Sequence, residues 1–163
     1  YSDKAAVLKL AGQLNQAGEL LKKRGISLLY HNHNCEFRKV EHGKTAYDLL
    51  LEQTDSKLVN FEFDSYWATE AGVDVPELME RVGKRMKLYH INDRGTRMSG
   101  PGGQILKSDS MELGYGNMNL PKLVEIAKRN GVDAVILESH KNWAEKSPVK
   151  SFQLSAAFMN QYV

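Results

Sequence analysis

The chain has 163 residues, 42% of them hydrophobic and 26% charged, which supplies a packed core and excludes a disordered chain. Its 22 lysines and arginines against 20 acidic residues leave a formal charge of +2, so electrostatics give no reason to expect a nucleic acid or an acidic membrane as partner. The single cysteine, Cys35, excludes an internal disulfide framework and a Cys-based zinc site, and it fits a reducing, cytoplasmic setting.

The opening residues, Tyr1-Ser2-Asp3-Lys4, have no initiator methionine and no signal-like apolar segment, and read as the middle of a longer protein. Residues 3–24 follow a helical pattern, with Val7, Leu10, Leu14, Ala17 and Leu21 on one face and Gly25 as a stop. Ile26 to Asn32 is a short apolar run that ends in polar residues, as in a strand buried on both faces. The same phrase recurs at Leu58 to Asp64, Met86 to Ile91 and Val132 to Glu138. Helical patterns separate these runs at Thr45 to Gln53, Val75 to Arg85 and Leu120 to Asn130, the last with Asn119 as N-cap and Gly131 as stop. A final helix is expected from Pro148 to Gln161, and the glycine-rich stretch from Thr96 to Asp109 reads as a long loop over the functional face.

Helices alternating with apolar strands predict α/β architecture with parallel strands. With no linker or low-complexity tract, residues 1–163 read as one domain. Four strands do not close a barrel; they make either a small open sheet or the second half of a (β/α)₈ barrel, with about four βα units.

Each strand ends in ionisable residues: His31, His33 and Glu36; Glu62 and Asp64; His90 and Asp93; Glu138 and His140. In parallel α/β folds these ends meet at the ligand-binding face. Taken singly, an Asp or Glu there is more often a helix cap or a partner of lysine than a metal ligand. Together they would repel or stay unpaired without a cation, and a set built on Asp64, His90, Glu138 and one further ligand suits Mn²⁺, Mg²⁺, Zn²⁺ or Co²⁺ alike. Glu62 shares the inward strand face with Asp64 and is expected to pair with a buried Lys or Arg. Tyr66 and Trp67 follow Asp64 where strand turns to loop, and Trp67 is expected to form a wall against a sugar face. His42 reads as a solvated loop residue and Cys35 as a small space-filler.

Tyr30-His31-Asn32-His33-Asn34-Cys35-Glu36-Phe37 resembles the YHNHxxEF motif of bacterial sugar phosphate isomerase/epimerase proteins, and Phe63-Asp64-Ser65-Tyr66-Trp67 with Ala71-Gly72 resembles their DxxW…aG segment. Leu88 to Arg94 resembles the HxKD strand, while Glu112-Leu113-Gly114-Tyr115-Gly116 and Ile136-Leu137-Glu138 resemble the LGxG loop and the final glutamate strand. These segments run from about residue 26 to 142 and are similar to the xylose isomerase-like superfamily, the AP endonuclease family 2 type, in its C-terminal portion.

The resemblance implies a TIM barrel whose N-terminal half is missing here, a divalent metal, and a small sugar substrate handled by isomerisation or epimerisation through an enediolate. It implies Asp64, His90 and Glu138 as three metal ligands. At the family's first glutamate stand two candidates, His31 in a gapless reading and Glu36 just beyond; Glu36 is the expected ligand, with His31 and His33 as substrate ligands or acid/base groups and Glu138 as ligand and base. Trp67, Asp93, Arg94 and His140 are the expected substrate contacts, and a homo-oligomer is allowed. Asn92 stands where the family usually has a lysine, which weakens the expectation of a phosphorylated substrate. A lyase of the inosose dehydratase kind and a non-catalytic sugar-binding barrel are the alternatives. Endonuclease IV-like repair is disfavoured by the near-neutral charge and the lack of ligands for two further ions.

Overall fold

A computed structural model of the chain describes residues 3–98 and 106–163. Helix α1 (Lys4–Lys22) opens on Asp3, whose side chain accepts the Ala6 N–H, and leads into strand β1 (Leu28–His31). A short hairpin, β2 (Lys39–Glu41) and β3 (Lys44–Thr45), precedes helix α2 (Ala46–Gln53), which starts with a reciprocal capping box between Thr45 and Asp48. Strand β4 (Val59–Asp64), helices α3 (Ser65–Glu70) and α4 (Val75–Val82), and strand β5 (Met86–Ile91) follow. A second ribbon, β6 (Asp93–Gly95) with β7 (Asp109–Met111), then leads to α5 (Leu120–Asn130), β8 (Ala134–Leu137) and α6 (Pro148–Tyr162). Asn119 caps α5, and Gly131 ends it in the left-handed conformation that glycine adopts at no steric cost.

The expected strands pair as one parallel sheet in the order β1-β4-β5-β8. The two ribbons and α3 were not foreseen, and the predicted loop from Thr96 ends in β7 at Asp109, with its residues 99–105 outside those described. Among the described residues no helix is long and apolar enough to cross a membrane.

Parallel pairing makes residues in register project to the same side. One side carries Phe61, Phe63, Tyr89 and Ile91, all buried under α4 and α5 against Leu78, Met79, Val82, Leu123, Val124 and Ala127. Full burial of each large apolar side chain is worth about 1.5–3 kcal/mol, so this face, with the smaller cluster of Val7, Ala11, Leu49 and Leu50 between α1 and α2, holds the fold together. The docking of α1 depends on Gly18, where an added Cβ would stand 2.5 Å from the Leu58 carbonyl oxygen.

The opposite side of the sheet is polar toward the strands' carboxyl ends. His31 is level with Glu62, Asp64 with His90, and His90 with Ile136, so His31, Glu62, Asp64, His90 and, two residues on, Glu138 project from the same side. Asn32 locks the ends of β1 and β4 together, donating to the Asp64 carbonyl and accepting the Asp64 N–H, both at 3.0 Å.

Candidate metal centre

Ligand atoms of His31, Asp64, His90 and Glu138 all lie within 4.8 Å of one another. Each comes from a different strand, within one residue of its carboxyl end, so the spacing of the parallel sheet assembles the group rather than any local motif. Asp64 serves two purposes: Oδ1 accepts the Trp67 N–H at 2.9 Å and caps α3, while Oδ2 lies 3.9 Å from His90 Nδ1. Glu138 is held between two imidazoles, with Oε2 2.5 Å from His90 Nδ1 and Oε1 2.8 Å from His140 Nε2.

The electrostatics are those of closely crowded donors. Burial pushes the Asp64 carboxyl up to about 8, with the neighbouring Glu138 adding to it, whereas the hydrogen bond from His90 holds Glu138 near 2. Burial and the nearby His90 hold His31 below its ordinary value, which keeps a neutral imidazole, the form that coordinates metals. Burial works against protonation of His90 too, yet Glu138, Glu62 and Asp64 raise it. His31 Nδ1 is buried and has no hydrogen-bond partner among the described residues. An orphaned imidazole nitrogen beside two carboxylates of opposite tendency fits a divalent cation, which would satisfy the nitrogen and let both carboxylates ionise.

Glu36 does not join this group. It is 2% exposed and its oxygens accept the Tyr30 hydroxyl at 2.9 Å, the His33 N–H at 2.9 Å and the Cys35 thiol at 3.2 Å, which turns the carboxylate into a fastener for the loop after β1. His31, the other candidate, takes the place beside Asp64 and His90. Cys35 is exposed rather than filling space in the core. Glu62 faces the inward side as expected, but its partner is His90 Nε2 at 2.8 Å and not a lysine or arginine. Its two-residue offset from Asp64 was the signal that could have tied it to the site.

An aromatic rim borders the cluster. The His33 ring is 4.8 Å from that of His31 and 5.5 Å from Trp67, and Trp67 is 6.0 Å from His140. Trp67 stands in a short helix rather than a loop, and its buried Nε1 has no partner among the described residues. His33 and His140 are exposed, open to a bound molecule.

Asp93 and Arg94 do not reach this rim. Asp93 is 1% exposed and accepts the N–H groups of Arg94, Gly114, Gly116 and Met118 at 2.8–3.2 Å, leaving nothing for a substrate. Gly116 makes this possible, since a Cβ there would fall 2.3 Å from Asp93 Oδ1. Arg94 donates to Glu70 at 2.6 Å and lines a separate cavity of about 360 Å³ with Thr69, Pro76 and Met118.

The family model of the xylose isomerase-like TIM barrel matches residues 2–162. A crystal structure of a sugar phosphate isomerase/epimerase from Parabacteroides distasonis superposes with a TM-score of 0.80 at 29% identity, covering 98% of this chain and 53% of that one. An L-ribulose 3-epimerase superposes with a TM-score of 0.67 at 16% identity, covering 97% of this chain and 54% of that one, a likeness of fold. The inosose dehydratase of Clostridium perfringens is 34% identical over 84 residues, 52% of this chain and 27% of that protein. The chain thus spans about half the length of the solved structures it matches, and its four-stranded parallel sheet corresponds to half a TIM barrel.

Proposed function

The chain belongs to the xylose isomerase-like TIM barrel family, and from that premise we propose that it carries the divalent-metal centre of an isomerase or epimerase acting on a sugar or keto sugar. The observation that supports this reading is the convergence of two imidazoles and two carboxylates from four strands on one point. With two nitrogen and two oxygen donors, the set favours Mn²⁺, Co²⁺ or Zn²⁺ over the oxygen-seeking Mg²⁺. His31, Asp64, His90 and Glu138 would hold the ion, which supplies Lewis acidity toward the oxygens of an enediolate.

The chain's own groups account for binding and proton movement. Trp67 offers an apolar ring face for a sugar, and the exposed His140 and His33 offer hydrogen bonds at its edges. Glu138, kept anionic by His90, would take a proton from the carbon next to a carbonyl, and His33 would act as its acid/base counterpart. Asn92, buried against Ser110 at 2.9 Å, contributes no cation for a phosphate, so an unphosphorylated substrate is preferred.

Metal analysis of the purified protein after dialysis against a weak chelator tests the reading. Near-stoichiometric Mn, Co or Zn that disappears in Asp64→Ala is the expected result, followed by deuterium uptake from D₂O at the carbon next to the carbonyl in a keto-sugar screen. Absence of metal in the wild-type protein would sink it. A dehydratase is the second reading, favoured by the 34% identity to inosose dehydratase; it uses the same proton abstraction but ends in loss of water, which product analysis by NMR separates from isomerisation.

A further inference from the structure

We propose that Glu62 is a positioning residue for this centre: its carboxylate fixes the ring of His90 so that Nδ1, not Nε2, is presented to the four converging donors. The inference rests on reading that cluster as a divalent-cation site. Glu62 is not one of the four. It lies on β4 two residues before Asp64, on the same inward side but one layer deeper, level with His31 and Leu88. From there Oε1 meets His90 Nε2 at 2.8 Å, while His90 Nδ1 reaches the layer above, 2.5 Å from Glu138 Oε2 and 3.9 Å from Asp64 Oδ2.

The consequence follows from the chemistry of imidazole. An ionised carboxylate only accepts, so the Glu62 contact requires a proton on Nε2, and in the neutral ring that leaves the lone pair on Nδ1. A ring gripped at Nε2 also cannot flip to offer the wrong nitrogen, and hydrogen bonding to a carboxylate makes the opposite nitrogen a better donor to a cation. The fold itself makes no demand for a carboxylate here. Glu62 pairs with no lysine or arginine among the described residues, and besides the uncharged Asn60 and Leu88 its neighbours on that side, His31 and Asp64, are themselves members of the converging group. A partly desolvated acid whose ion-pair partner is a candidate metal ligand is explained by that ligand.

The test titrates Zn²⁺ and Co²⁺ separately into the purified protein against a chromophoric chelator, comparing wild type with Glu62→Gln, which keeps the shape, Glu62→Leu, which removes the polar partner, and Asp64→Ala. Each Glu62 variant is expected to bind about 10–100-fold more weakly than wild type, with a shifted visible Co²⁺ spectrum and a metal-free melting temperature close to that of wild type. Unchanged affinity and spectrum in both Glu62 variants, with binding lost in Asp64→Ala, overturns the positioning role and leaves the metal centre standing. A lowered melting temperature with wild-type affinity in the folded protein overturns it in favour of a purely structural residue. If wild type binds neither ion, the metal reading fails and this inference falls with it.

Discussion

The two ends of the parallel sheet treat their polar groups in opposite ways. At the amino end, Arg85 is fully engaged: it donates to the carbonyls of Val59 and Leu51 and to the Thr54 hydroxyl, and its guanidinium lies 4.8 Å from the Phe61 ring centroid. At the carboxyl end, four titratable side chains crowd together, one carboxyl is pushed up to about 8 and an imidazole nitrogen has no hydrogen-bond partner among the described residues. The first arrangement spends its polar groups on the fold; the second, on the reading proposed above, holds them for a cation. Such a division puts stability and function on separate residues, which makes it open to mutation.

The largest expected effect is at the carboxyl end. Asp64→Asn should weaken metal binding by more than the roughly 10–100-fold that an outer partner commands, while the metal-free melting temperature stays level or rises, because the carboxyl that burial pushes up to about 8 gives way to a neutral amide that can still accept the Trp67 N–H. Chelator competition and thermal unfolding of the same sample measure both. Substantial destabilisation of the metal-free protein would break the contrast between the ends.

Arg85→Ala should do the reverse. It strips partners from buried carbonyls at once, and a cost of about 2–4 kcal/mol in urea unfolding is expected, with metal affinity in the folded protein unchanged. Between these extremes lies Gly116→Ala, whose new methyl meets Asp93 and the Arg94 carbonyl oxygen at 2.6 Å or less. Overpacking of this kind costs about 1–3 kcal/mol, and it should loosen the loop from Gly114 to Met118 before it touches the sheet, as local hydrogen exchange would register.

Most of the scaffold could be read from the residues, because its signals are local: a short apolar run ending in polar residues at β4, and Asn119 with Gly131 bracketing α5. Three of the four converging donors, Asp64, His90 and Glu138, were legible from the repeated habit of ending an apolar run in an ionisable residue. The roles of Glu36 and Asp93 were not, since both carboxylates accept backbone N–H groups that only the folded loops bring near. The ribbons β2–β3 and β6–β7 are two or three residues per strand, too short for a period of two to declare itself. Helix α3 did have a signal, in Asp64 as N-cap, but the same residue was already being read as a ligand and it is placed to be both.

Acid should separate the two ends most gently, by loosening one and sparing the other. Glu112, 4% exposed, accepts the Ala144 N–H at 2.9 Å and the Ser151 hydroxyl at 2.5 Å and pairs with Arg97, so it pins the segment after β8 to the β7 end. Burial alone would raise its carboxyl, but Ser151, the surrounding N–H groups and Arg97 together hold it below the ordinary value of 4.5. A carboxyl whose folded pKa is depressed lends stability that is complete above its unfolded pKa and drains away as pH falls through the folded one. Protection of the Ala144 amide against hydrogen exchange, corrected for intrinsic rate, should therefore hold at pH 6 and fall below about pH 4. The Thr54 amide, bonded to the Leu50 carbonyl beside Arg85, should keep its protection over the same range because arginine does not titrate there. In Glu112→Gln the neutral amide still accepts from Ala144 but cannot be protonated, so a pH dependence at Ala144 that survives this substitution would assign the effect to some other group.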